Sequence, residues 1–113
     1  MKTRFLLPAR NELREAVRYY NARRVRLGED FRDQAWETIR RIEEFPLAWH
    51  PLGGAIRRCQ MRRFPYGIIY EHAEVEIVII AVAHLRRELF MSLYSAMNRN
   101  RTLAFGFMVR REI

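Results

Sequence analysis

One cysteine, Cys59, stands in the 113 residues. No disulfide can form within the chain, and a cysteine-based zinc site is excluded. Cys59 reads as a small buried apolar residue rather than a catalytic thiol. Lysine is as scarce: Lys2 is the only one among 21 basic residues, so the positive charge rests on arginine. Acid is short too. The 13 acidic residues leave a net charge of +8, and none lies between Glu44 and Glu71. Long apolar runs are missing, and the longest, Ile77 to Ala83, cannot span a bilayer. Met1 to Leu7 is too short for a secretory signal. A soluble cytoplasmic protein without a membrane partner is expected. His50 and His72 lack metal-ligand spacing, and no nucleophile elbow, phosphate loop or metal motif is present. No cofactor or metal is therefore expected.

What is present is half apolar and sized for one domain. The charge bears on partners rather than fold. Nucleic acid, the ribosome, an acidic protein and an anionic membrane are the candidates that the charge alone leaves open. Arginine suits bidentate contact with phosphate or carboxylate, although a GC-rich genome gives the same bias.

Thr3 to Leu7 reads as a short strand. Pro8 suits the first turn of a helix, where its missing N–H is no loss. Ala9, Leu13, Ala16, Val17 and Tyr20 then recur at helical spacing. Asn21 to Gly28 reads as a connection. A second helix is expected from Glu29 to Phe45, with Phe31, Ala35, Ile39 and Ile42 inward and Trp36 beside them. Its acids lie in the first turn and its arginines near the last, matching the macrodipole. Pro46 stops it. Pro51, Gly53 and Gly54 mark a loop. Three strands follow, at Ile56 to Phe64, Tyr66 to Glu71 and Glu76 to Ala83. The last is apolar on both faces, as a strand inside a covered sheet is. The fold class expected is α+β: an N-terminal strand, an antiparallel helix hairpin and a three-stranded antiparallel sheet packed on the helices. Residues 1–89 form the domain and 90–113 an atypical tail, read as helix, strand or disordered extension.

Alternation places Cys59 and Met61 on one face of the first of these strands and Arg58, Gln60 and Arg62 on the other. With no acid nearby in sequence, that face reads as an anion-binding surface or as an ordinary solvated sheet face. His84 ends the last strand, and Arg86 and Arg87 follow it. His84 has the pKa range for a general acid or base, or it caps the strand. Arg87 stabilises phosphate charge, or pairs with Glu43 or Glu44. Tyr66 and Tyr70 share a face with Ile68 and read as core. Trp49 packs over the helix end.

Several segments together resemble the RelE/ParE superfamily of toxins from type II toxin–antitoxin systems. They are Leu7-Pro8-Ala9 with Asn11-Glu12-Leu13 and Tyr19-Tyr20, Leu27 to Phe31, Phe45-Pro46, Arg63 to Tyr70, and Ala81 to Arg87. The resemblance covers roughly residues 3 to 88. It implies a growth-arresting toxin, of the plasmid-stabilisation type, neutralised by a cognate antitoxin, as a homodimer or a hetero-oligomer. It implies one of two targets: DNA gyrase, or the ribosome and its mRNA. Under the resemblance, His84 and Arg87 are the catalytic candidates, and Arg58, Arg62, Arg63 and Arg86 the target-binding ones. Cleaving members commonly carry arginine where Gly67 stands and another near Leu85. The chain also departs after Glu88, where similar members continue with proline and a Tyr-Trp pair. The missing arginines at Gly67 and Leu85 favour gyrase inhibition of the ParE kind, whereas the altered tail bears on whether the chain is a degenerate toxin. The alternatives are a ribosome-dependent mRNA endoribonuclease and a degenerate, non-toxic binding module.

Overall fold

The apolar stripe of the first helix has to be covered, and two partners cover it: a second helix and a sheet. The computed structural model describes residues 2–85. In chain order they form β1 (Lys2–Phe5), α1 (Leu7–Arg23), α2 (Leu27–Glu44), β2 (His50–Gly53), β3 (Ile56–Gln60), β4 (Tyr66–His72) and β5 (Glu76–His84). The α+β class and the helix hairpin are as expected. The sheet is larger: five strands in the order β1-β5-β4-β3-β2 rather than three. Two segments make the difference. The N-terminal strand joins the sheet, parallel to β5, with Lys2 opposite Glu76 and Phe5 opposite Ile79. His50–Gly53, read as loop from its proline and glycine, pairs antiparallel with β3 at the far edge. Proline is tolerated there because an edge strand leaves one row of backbone groups unpaired. The proposed tail from residue 90 lies outside the described residues.

The helix boundaries follow from caps. Pro8 sits in the first turn of α1. The expected linker is mostly helix: α1 runs to Arg23 and α2 starts at Leu27. Arg26, with φ of 69°, makes the reversal in the left-handed region. Glu29 and Asp30 occupy the first turn of α2, where the exposed N–H groups favour negative charge. Gly28 is buried against α1: a Cβ there would meet the Val17 carbonyl oxygen at 2.2 Å and Asn21 Cγ at 2.6 Å. Its N–H donates to Asn21 Oδ1 at 2.8 Å. The two helices therefore touch backbone to backbone at this point.

Between helices and sheet lies the main core, including Ala9, Val17, Phe31, Ile39, Ile42, Cys59, Ile68, Tyr70 and Ile79. Cys59 is buried and free, as expected. Phe31 is its aromatic centre, with Tyr20, Phe64 and Tyr66 rings at 5.4, 5.0 and 4.8 Å. Tyr70 is fully buried and its hydroxyl donates to the Pro46 carbonyl. Burial pushes its phenol well above the ordinary range. Trp49 covers the end of α2, its Nε1 donating to the Arg41 carbonyl at 3.3 Å. Trp36 departs from expectation: it is 45% exposed, its ring 5.8 Å from Phe5.

A second cluster, without a helical residue, occupies the other face of the sheet: Leu6, Ile56, Ile69, Val78, Ile80, Ala81 and Ala83. The two clusters show that strand alternation breaks once. Ile77 and Ile79 face the helices, and so does Val82. Ile69 pairs with Ala81 and Tyr70 with Ile79, leaving Ile80 as an extra residue. This is a β-bulge, which shifts every later side chain of the strand by one face. Beside it, the Val82 N–H donates to Glu12 Oε1 at 2.8 Å. A carboxylate from α1 thus reaches down to backbone in the bulged strand, fixing helix to sheet.

Candidate functional site

Arg58 stands on the outer sheet face, on β3, one strand in from the edge. It pairs directly with Ile69, and Ile69 belongs to the outer cluster, so Arg58 lies on the face away from the helices. Its stem crosses Gly67: a Cβ at Gly67 would lie 3.0 Å from Arg58 Cγ and 3.1 Å from both Arg58 Cδ and Leu85 Cδ2. Glycine here leaves room for the arginine to lie flat across the neighbouring strand. Gly67 is thus part of how Arg58 is held.

His84 goes elsewhere. It pairs with Tyr66 across β4 and β5, and the two rings sit edge-on at 5.1 Å. Tyr66 packs against the helix-side core. The bulge at Ile80 produces this outcome. Unbroken alternation from Ile79 would have turned His84 to the outer face; one extra residue turns it to the helix side. Arg58 and His84 stand on opposite faces.

Arg62 and Arg63 do not extend the Arg58 face. The strand ends at Gln60, two residues earlier than the expected alternation needed to include Arg62. The chain then turns back toward α2. Arg62 Nη1 lies 3.4 Å from Glu37 Oε2, and Arg63 Nη2 lies 4.0 Å from Asp30 Oδ2. The counter-charge absent from the neighbouring sequence comes from the second helix. Arg41 completes this edge, with Nη2 donating to the Gln60 carbonyl at 2.8 Å and Nε 3.4 Å from Glu37. Both surface pairs are half-exposed or more on the arginine side and are weak in water. Arg86 and Arg87 lie outside the described residues.

A second charged group lines the outer face near the start of β5. Arg4 Nη2 and Glu76 Oε2 are 3.0 Å apart. The Arg4 hydrogen bond holds the Glu76 carboxyl below its ordinary value. Burial and the Glu76 charge push the Glu71 carboxyl above its own. The two act in opposite directions on stability. The Glu76 contribution is present above about pH 4.5 and fades as pH falls through its lowered folded value. The Glu71 contribution is full below about pH 4.5 and is lost as pH rises through its raised folded value. Glu71→Gln is therefore expected to raise the urea midpoint at pH 7 and to leave it unchanged at pH 3.5. Equal midpoints at pH 7 would show that Glu71 carries no charge strain.

Among the described residues there is no cluster of three or more His, Cys, Asp or Glu side chains able to hold a metal. No described helix is long and apolar enough to cross a membrane. Two residues central to this geometry were invisible as such in the sequence. Glu12 entered the sequence reading only as part of a family-like segment, and Gly28 read as part of a linker. A glycine two turns past a periodic apolar stripe was the available signal for the second.

The comparisons with known proteins agree with this architecture. The family model described as "ParE toxin of type II toxin-antitoxin system, parDE" matches residues 4–89. No curated protein matches the chain. Among solved structures, a chain described as the chromosomal ParDE TA system from P. aeruginosa is similar at a TM-score of 0.56 and 12% identity. The match covers 75% of this chain and 96% of that one. At that identity the likeness is one of fold, and the family model carries the assignment. The chain belongs to the ParE family of toxins from type II toxin–antitoxin systems.

Proposed function

We propose that this toxin arrests growth by binding its target through the outer sheet face around Arg58, in the manner of a gyrase inhibitor, and that it does not cleave mRNA. A cognate antitoxin neutralises it. One observation carries the reading. Arg58 lies across Gly67 on the outer face, whereas His84 packs on Tyr66 at 5.1 Å on the helix side. Phosphodiester cleavage needs a proton-transfer group and a charge-stabilising cation on the same side of one phosphate. These two side chains cannot reach the same phosphate from opposite faces. Arg58 alone, on a firm apolar sheet, suits a contact that anchors without chemistry.

Pulse-labelling of DNA and protein synthesis after induction tests this. DNA synthesis is expected to fall first. Early loss of translation, with mRNA cleavage detected by primer extension, would overturn it. Arg58→Ala is expected to weaken target binding about tenfold or more, the scale of one lost charged interface contact. His84→Gln is expected to leave toxicity intact. Reversal of that order would place the chemistry on the histidine.

A further inference from the structure

The outer face of the sheet is closed to water, yet no described element lies on it. Leu6, Ile69 and Val78 are 0% exposed, and Ile80 and Ala81 are 1% exposed. Both helices pack on the opposite face, and the outer cluster includes no helical residue. Neighbours within one sheet leave the tips of such side chains open, because side chains stand roughly perpendicular to it. The other described side chains of this face stand around its border. Arg4 and Glu76 pair at one corner, Glu71 lies opposite Val78, and Arg58 crosses Gly67. Polar groups at this border are withdrawn from water as well. Arg4 Nη1 is buried without a hydrogen-bond partner, and burial raises the Glu71 carboxyl.

One chain reaches this burial alone, so its cover belongs to the same chain. The described elements do not supply it, which leaves the segment after Leu85. The place where that segment starts agrees. The Leu85 N–H donates to the Pro65 carbonyl at 2.8 Å, and Leu85 Cδ2 lies 3.1 Å from where a Gly67 Cβ would stand. Gly67 pairs with Ala83 of the outer cluster. The chain therefore leaves β5 on the outer side, next to Arg58. The sequence that follows suits an apolar surface. At about 100° per residue, Leu89, Phe90, Leu93, Tyr94, Ala96 and Met97 share one side, and Ser92 and Ser95 take the other. Residues 86–88 extended and 89–97 at helical rise span about 23 Å, the length of strand from Leu85 back to Val78.

We infer that the outer sheet face is a docking surface for residues 89–97 of the same chain, which lie over Ile69, Val78 and Ile80 with Ser92 and Ser95 outward. The later apolar stretch, Leu103 to Val109, has no polar side to turn to water. A second copy would bring another net charge of +8 against the first, onto a face that one chain already closes. The inference goes beyond the target reading above and sharpens it. With the centre of the face occupied, Arg58 stands at the margin of the cover. A target then meets Arg58 together with the serine side of residues 89–97. Only this last consequence rests on the toxin reading.

The test uses the full chain. Glu71→benzoylphenylalanine places a photoreactive group on β4 beside Val78, at the end of the face away from Leu85. On irradiation it is expected to link to residues 89–97 of the same molecule, as read by mass spectrometry of the monomer. A second arm opens the face. Leu93→Asp/Tyr94→Asp is expected to raise the fluorescence of anilinonaphthalene sulfonate, which reports exposed apolar surface, about threefold or more. Ser92→Asp/Ser95→Asp makes the same charge change on the other side and should leave the dye signal near wild type. Links to residues 103–109, links to a second molecule, or no link at all would overturn the proposal. So would an equal dye response in the two aspartate pairs. Should Leu93→Asp/Tyr94→Asp fail to fold, the link from position 71 decides the question in a chain with its tail unaltered. Neither readout involves growth arrest, so failure of the toxin reading leaves both unchanged.

Discussion

Replacing Phe31 by alanine is expected to lower folding stability by about 3–5 kcal/mol, the range for a large aromatic removed from a packed core. Phe31 is fully buried and joins α1, α2, β4 and the β3–β4 connection. Tyr20 stacks on it from α1 at 5.4 Å, while Phe64 and Tyr66 meet it edge-on from the β3–β4 side at 5.0 and 4.8 Å. Each ring pair adds about 0.5–1.5 kcal/mol beyond burial. The loss is therefore shared, since Tyr20 also contacts Phe64 and Tyr66 directly. Small domains have about 5–15 kcal/mol in total, so Phe31→Ala should lose a large share of that and melt many degrees below wild type. Thermal unfolding followed by circular dichroism checks this. Phe31→Leu, which keeps most of the volume, should retain the fold with a smaller deficit. A melting temperature within a few degrees of wild type for Phe31→Ala would show that the aromatic cluster is not where the hairpin and sheet are joined.

Gly28→Ala is the second large effect, and its cause is crowding rather than cavity. A single methyl group would sit 2.2 Å from the Val17 carbonyl oxygen and 2.8 Å from Asn21 Nδ2. The carbonyl belongs to helix backbone and cannot rotate away. The helices must separate by about an ångström, which stretches the Asn21 bond to the Gly28 N–H and loosens the core beneath. Overpacking of this kind costs about 1–3 kcal/mol, occasionally more, and the upper end applies because backbone is the obstacle. A double variant refines the test. Asn21→Ala clears two of the three crowded atoms but leaves the Val17 oxygen, so it should restore only part of the loss. Full restoration would locate the clash in the Asn21 side chain alone; chemical denaturation of the three variants distinguishes the cases.

Much of the fold was legible because the pattern and the packing coincide. The three- and four-residue apolar spacing of α1 and α2 marks the faces that are buried, and the all-apolar run from Ile77 to Ala83 marks a strand with neighbours on both sides. What was illegible has identifiable causes. Pro51 and Gly53 signal a loop locally, yet pairing with β3 makes them an edge strand. The acids that meet Arg62 and Arg63 lie on α2, far back in sequence, so a scan for nearby carboxylates finds none. The orientation of His84 depends on one bulged residue inside a run in which every side chain is apolar. A change of face leaves no trace in such a run. The candidate site was therefore readable as a set of residues, but not as an arrangement: Arg58 is on the expected face, Arg62 and Arg63 turn to the helix layer, and His84 sits opposite.

The parallel pairing of β1 with β5 has a consequence in time. Lys2 precedes both helices in the chain, but its partner Glu76 and the rest of β5 are made after both helices and the other strands. Contacts this distant in sequence form late. Until β5 is complete, β1 has no neighbour, β4 lacks one of its two, and the Val82 N–H that Glu12 holds does not yet exist. A chain interrupted before β5 therefore lacks the one strand that joins β1 to the rest of the sheet.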